Sequence, residues 1–311
     1  MKVFILGCPY KGIGYLRSEL DKLVSKDDLI IDADEISGLD NERIFFKDRV
    51  IMISDVHSSF IRYPYDLIPP HNETFRLRER TEFLKTLAIL LSNSAVNRYL
   101  PSIAARNRIF SLAVARSCGF KTPRSLVVIK NGLNPLRIIN CKQLIVKSLG
   151  NCYYSEKKLG EEKFITNILR YETDGGEKAY IYPAHKLSEE ASIDKYIKDV
   201  GTFYCQELSE GNEFRIFVVK NKVMYFVRSA QGKINGTDKS GDALKKCSRP
   251  VNLKEEKRII ALREKLNLNY LCLDGVLTSR SDLILFDVNP FGAFPKGCVA
   301  EELARFIFSK K

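Results

Sequence analysis

Short apolar runs alternate with amphipathic stretches through the N-terminal part of the chain: KVFIL, a helical pattern from Tyr15 to Val24, then DLIIDAD, RVIMIS and SFIRYP. Strands of this kind interleaved with a helix predict βαβ units, and hence a largely parallel sheet with helices packed on it. A strongly periodic stretch begins at Asn72, where Phe83, Leu84, Leu87, Leu90 and Leu91 mark one buried face of an amphipathic helix. In SNSAVNRYLPSIAARNRIFSLAVARSCGFKTPRSLVV, Pro101 and Ser102 mark a boundary and a helix spans Ala105 to Ala115. Gly119 caps that helix, and Pro123 stands before a strand. QLIVK is a short strand carrying Lys147, followed by a turn at Gly150. RIFVV and VMYFV form a hairpin across Lys-Asn-Lys. A helix with Ile259, Leu262 and Leu266 on its buried face comes next. Two adjacent strands, Tyr270 to Gly275 and Leu283 to Asn289, precede a last helix from about Ala300 with Leu303, Phe306 and Ile307 inward.

Composition adds bounds. At 311 residues, 45% apolar and 28% charged, the chain can bury a sizeable core and divides into two or three subdomains. No apolar run reaches the length of a membrane span, and MKVFILGCPYKGIG reads as a strand and turn rather than a signal peptide, so a cytoplasmic location is expected. The eight cysteines include no C-x-x-C pair and there are three histidines, His57, His71 and His185, which argues against a disulfide framework and a zinc site. A net charge of +12 and a pI near 9.2 suit an acidic partner, although a Lys-rich solvated surface is the commoner cause. The charges are spread along the chain without an Arg-rich tail or basic block, which argues against nucleic acid.

Gly7, Gly12 and Gly14 after the first strand do not make a Walker A loop, because Ile13 and Gly14 stand where Lys and Ser or Thr are required. The informative acids are near the C-terminus. Asp287 and Asn289 are two apart on an apolar run, hence on one strand face, and Asp274 ends the run before it. Two carboxylates and an amide oxygen suit Mg²⁺, and an acidic hairpin rim fits the spacing as well. Lys147 at the end of a buried strand either meets an anion or snorkels to solvent.

Taken in order, these pieces resemble the ATP-grasp superfamily of carboxylate–amine ligases from about Pro101 to Gly297. DVNPFGAF is similar to the family's E-x-N-x-x-P-G element, with Asp287 in place of the usual Glu, and Asp274 lies thirteen residues before it. The resemblance implies that Asp274, Asp287 and Asn289 bind Mg²⁺. YCQELSEGNEFRIFVV resembles the nucleotide hinge. It implies that main-chain groups around Gln206, Glu207 and Leu208 meet adenine and that Glu213 accepts from the ribose. Lys147 falls on one nucleotide-binding Lys, and Arg108 in ARNRIF replaces the other. Arg228, in VRSAQ, matches an Arg facing the reacting phosphate. Arg228 and Lys147 are thus the expected catalytic groups. The stretch GNCYYSEKK departs from the Gly- and Ser-rich lid of many relatives.

The resemblance implies an α/β chain with α+β elements and the ATP-grasp fold. A parallel βαβ domain (1–100) would precede central (101–205) and C-terminal (206–311) antiparallel subdomains that clasp ATP. FIRYP, the 92–128 stretch and the DVNPFGAF ending are most similar to graspetide, or microviridin-type, peptide macrocyclases. These imply activation of Asp or Glu side chains of an acidic precursor peptide as acyl phosphates, ester or amide crosslinks, and a homodimer. The absence of Trp departs from those enzymes. A ligase adding an amino acid to a protein or small acid shares the same ATP residues, and a non-catalytic nucleotide- or nucleic-acid-binding module is the third reading.

Overall fold

The computed structural model describes residues 1–7, 13–62, 74–128, 138–139, 144–147, 171–172, 178–179, 185–187, 203–209, 211–228, 245–246, 253–278, 282–291 and 297–310. The apolar run after Lys2 is β1 (Val3–Gly7), buried along its whole length. It pairs in parallel with β2 (Leu29–Asp32) on one side and β6 (Val56–Ile61) on the other. A strand covered on both faces reads as an unbroken apolar run, which is why KVFIL shows no alternation. Its two faces belong to different cores. Phe4 and Leu6 pack with Leu16 and Leu20 of α1 (Gly14–Asp21), whereas Val3 and Ile5 pack with Leu84, Leu87 and Leu91 of or just beyond α2 (Thr74–Leu90).

The expected parallel sheet is present, but RVIMIS does not join it. β5 (Arg49–Met52) pairs antiparallel with β4 (Arg43–Phe46), and β4 pairs with β3 (Ile36–Leu39), in a separate three-stranded sheet. The two-residue turn at Lys47 and Asp48, with Lys47 at φ 52°, is too short for the crossover that a parallel neighbour requires. β3 and β4 escape the periodic signal because they are short and only half-covered.

The helix expected over 105–115 is two helices, α3 (Tyr99–Arg106) and α4 (Arg108–Ser117). Pro101 is no boundary, because it sits in the first turn of α3, where a helix N–H has no partner to lose. The break comes at Asn107, whose side chain accepts from the Phe110 N–H at 3.0 Å and starts α4 afresh. Gly119, at φ 83°, ends α4 as expected.

Two antiparallel sheets follow. β7 (Ser125–Val128), β8 (Leu144–Lys147), β11 (His185–Leu187) and β12 (Phe203–Glu207) lie in the order β11-β8-β12-β7, beside a small pair, β9 (Tyr171–Glu172) and β10 (Lys178–Ala179). β13 (Asn212–Val219), β14 (Lys222–Arg228), β15 (Lys245–Lys246), β16 (Tyr270–Leu277) and β17 (Leu283–Asn289) lie in the order β15-β14-β13-β16-β17. One face of this larger sheet, with Ile216, Val218, Leu271 and Leu273, packs on Ile259 and Leu262 of α5 (Leu253–Lys265). Its other face, with Phe217, Val219, Tyr270 and Cys272, merges with the Phe4 and Leu6 face of β1 and with Leu303 and Ile307 of α6 (Cys298–Ser309).

Asn97 fastens this junction. Its Oδ1 accepts from the N–H groups of Asn269 and Tyr270 at 2.8 and 2.9 Å, while its Nδ2 donates to the carbonyls of Tyr270 and Pro290 at 2.6 and 2.7 Å. Four backbone groups of the C-terminal strands thereby depend on one side chain. Asn97→Ala is expected to destabilise the protein by about 2–4 kcal/mol in urea unfolding, since each buried group left unmet costs roughly 1–3 kcal/mol. A change below about 0.5 kcal/mol, the range of ordinary surface substitutions, contradicts this assignment.

Candidate functional site

The site is built on the register of β16 and β17. Asp274 stands directly opposite Asp287, and Cys272 opposite Asn289, so the three oxygen-bearing residues share one sheet face. The ladder then steps from Asp274↔Asp287 to Gly275↔Leu285, passing over Phe286 in a bulge. Burial explains the bulge. Leu285 and Val288 are three residues apart and would point to opposite faces of a regular strand, yet both are buried in the α5 core. The extra residue reconciles them and turns Asp287 to the other face. Gly275 makes room, because a Cβ there would stand 2.6 Å from the Ile284 carbonyl oxygen.

Both acids are held by arginines. Arg215, opposite Asp274 on β13, meets it with two bonds, Nε to Oδ1 at 2.6 Å and Nη2 to Oδ2 at 3.0 Å. The Asp274 carboxylate raises the Arg215 pKa further above its ordinary value and keeps the guanidinium charged. Arg108 Nε donates to Asp287 Oδ1 at 3.1 Å. Arg108 opens α4, and a cation at a helix N-terminus is unfavourable to the helix dipole. Its position is therefore set by its tertiary partners, Asp287 and the Tyr204 ring, whose centre lies 5.7 Å from the guanidinium carbon.

The remaining expected residues lie on β8, on or just past β12, and on β13 and β14. The register places Lys147, at the end of β8, opposite Tyr204 on β12. Gln206, two residues along β12, is fully buried and its Nε2 donates to the Phe286 carbonyl at 3.3 Å. Glu207 turns the other way, where Arg124 meets it at 2.7 and 3.0 Å and holds its carboxyl below the usual carboxylate range. The Glu207 N–H is committed to the Arg124 carbonyl at 2.9 Å, and Leu208 lies just past the strand, half-buried. Glu213 is buried on β13, opposite Arg228 of β14 and on the same face as Arg215. The side chains of Lys147 and Arg228 lie outside the described residues, as do Gly12, Tyr63 and Pro64 of FIRYP, His71, Gly150, the GNCYYSEKK stretch and Gly292.

The donor set fits a hard divalent cation: two opposed carboxylates and the Asn289 amide oxygen, which is fixed by accepting from the Phe291 N–H at 3.0 Å. Each such oxygen has two lone pairs, so an arginine or backbone bond leaves capacity for a metal. Among the described residues no cluster of three or more His, Cys, Asp or Glu could hold a metal, so this site depends on the amide oxygen. Arg108 brings a guanidinium, a group able to clamp a phosphate, to the same place. Sequence reasoning missed Arg215, although an arginine inside the apolar run FRIFVV is a readable signal, since a buried cation needs an anion. The roles of Tyr204, Asn97 and the Gln206 side chain carried no such signal.

No family model matches the chain, and no curated protein matches it by sequence. Solved structures do. Over 100% of both chains it is similar to the macrocyclase MdnC of Microcystis aeruginosa, solved bound with the precursor peptide MdnA, at TM-score 0.68 and 15% identity. It is similar to a Chryseobacterium gregarium RiPP-associated ATP-grasp ligase, in complex with ADP and a leader and core peptide, at TM-score 0.70 and 15% identity over 100% of this chain and 97% of that one. The D-alanine–D-alanine ligase of Bacillus anthracis, complexed with ATP, matches at TM-score 0.53 and 11% identity over 94% and 86%. The chain has the ATP-grasp fold that its sequence resembles.

Gly275→Ala forces its methyl group onto a backbone oxygen that cannot swing aside. A loss of about 2–4 kcal/mol is expected in thermal unfolding, typical of severe backbone clashes. Unchanged thermal unfolding would show that the bulge does not depend on Gly275.

Proposed function

We propose that the protein is an ATP-dependent carboxylate ligase that activates Asp or Glu side chains of an acidic precursor peptide and closes ester or amide crosslinks within it. The observation that carries this reading is the contact of Arg108 with Asp287, itself opposite Asp274. A phosphate-binding cation and a hard-metal acid pair converge from separate elements, as phosphoryl transfer requires. The likeness to peptide-bound macrocyclases and ligases supports the peptide as substrate.

Mg²⁺ and ATP, when bound, supply the transferable phosphoryl group and neutralise its developing charge. Asp274, Asp287 and Asn289 hold the metal end; Arg108 and Lys147 hold the phosphates. Gln206, Glu207 and Leu208 take the adenine end through main-chain groups, with Glu213 on the ribose. A peptide carboxylate oxygen attacks the γ-phosphorus as the bond to ADP breaks, giving an acyl phosphate. A Ser or Thr hydroxyl or a Lys amine then attacks the acyl carbon, the acyl–phosphate bond breaks, and the nucleophile's proton passes to the departing phosphate. Arg228, opposite Glu213, faces the reacting phosphate in this reading. Activation supplies the leaving group that a free carboxylate lacks. The net charge of +12 attracts the acidic peptide, and the working form is a cytoplasmic homodimer of 1–100, 101–205 and 206–311 subdomains.

The test is incubation with ATP, Mg²⁺ and a Thr-, Ser-, Asp- and Glu-rich peptide encoded beside the gene, followed by mass spectrometry. Loss of one water per linkage within a single peptide is expected. Asp287→Ala and Asn289→Ala should each lower ADP release on the order of 100-fold, the several kcal/mol that a correctly held metal contributes. Addition of free amino-acid masses instead would assign the chain to the ligases that extend a protein or small acid, and no ADP with any carboxylate would reject the ligase reading.

A further inference from the structure

The buried face of β12 turns toward β17 rather than toward open space. Tyr204 and Gln206 alternate on that face and are 1% and 0% exposed. Tyr204 lies under the Arg108 guanidinium, which holds the Asp287 carboxylate, and Gln206 donates to the carbonyl of Phe286, the residue immediately before Asp287. One strand therefore bears on β17 at two successive residues, directly at the Phe286 carbonyl and through Arg108 at the Asp287 side chain.

Placing a carboxamide at full burial is costly unless its polar atoms are met, and an apolar side chain of the same length would fill the volume equally well. What the amide adds is direction. It fixes a carbonyl at the bulge, where the ladder passes over Phe286 and leaves that residue outside the β16 pairing. A displacement of that carbonyl smaller than a register step would shift Asp287 against Asp274 while the flanking pairs keep their register.

We propose that Gln206 is a positioning residue, whose carboxamide holds the Phe286 carbonyl and so sets the place of Asp287 against Asp274 and Arg108. This rests on the nucleotide–metal reading above and extends it: the strand that carries the adenine hinge also aligns the metal-binding strand, through a side chain and not through the hinge main chain. The two functions of β12 are then separable by mutation.

The experiment uses the full chain, with ADP and Mn²⁺ as probes. ADP affinity is measured by calorimetry in EDTA, then Mn²⁺ is titrated into the ADP complex and the bound fraction read by electron paramagnetic resonance. Gln206→Met keeps the length without a donor, and Gln206→Glu keeps the shape but places an acceptor against the carbonyl. Both are expected to weaken Mn²⁺ binding about 5- to 30-fold, the cost of one unmet buried group. ADP affinity in EDTA should fall clearly less than Mn²⁺ affinity, because the hinge meets adenine through main-chain groups that both variants keep. Gln206→Glu should recover Mn²⁺ affinity as pH falls and its carboxyl gains a proton to donate. If either variant fails to fold, Gln206→Asn, one methylene short of the carbonyl, is expected to show the same loss. Unchanged Mn²⁺ affinity overturns the proposal, and so does an equal fall in ADP affinity, which would make Gln206 part of the hinge alone. Wild-type protein that binds neither ADP nor Mn²⁺ overturns the nucleotide reading itself, and the proposal with it.

Discussion

The pairing register of β16 with β17 is the constraint on which the rest of the site depends. A strand alternates faces with a period of two, so a slip of one residue would drive Asp287 toward the α5 core and expose Val288. Hydrophobic burial prevents that slip. Leu285 and Val288 both enter the same core only if the strand bulges between them, and that bulge leaves Asp287 opposite Asp274. The chemistry-bearing face is thus a consequence of how apolar residues are buried on the opposite one.

Electrostatics then fixes what the register brings together. Two carboxylates on neighbouring strands repel each other, and here each meets its own guanidinium, Arg215 from within the sheet and Arg108 from the start of α4. Arg215 is paired at two points on the adjacent strand, which holds Asp274 in one orientation. Arg108 bridges elements far apart in sequence and stands at a helix end where a cation is disfavoured, so its arrangement relies on Asp287 and Tyr204. Asn97 ties this sheet to the segment before α3, which keeps the α3–α4 corner, and so Arg108, in register with β17.

Much of this was legible in the chain because it follows from local periodicity. The buried positions of α5 and α6, the β13–β14 hairpin and the shared face of Asp287 and Asn289 all follow from spacings of 3.6 or 2. The ordered set from Arg108 to Asn289 pointed to the ATP-grasp fold, and solved structures of that fold match the whole chain. What the sequence concealed was set by tertiary context. β3 and β4, which with β5 make the separate three-stranded sheet, are too short and too exposed for a clear pattern. The break between α3 and α4 turns on a single Asn107 cap inside a run of good helix formers. The Gln206 bond to Phe286 connects residues eighty apart, and no local pattern encodes it.

The most direct test of the central claim is a crystal structure of the full chain with a non-hydrolysable ATP analogue and Mn²⁺, read at the manganese absorption edge. An anomalous peak between the carboxylates of Asp274 and Asp287, with the phosphates against Arg108 and adenine at the end of β12, is the predicted result. Nucleotide bound elsewhere, or a metal peak away from β16 and β17, would contradict the account.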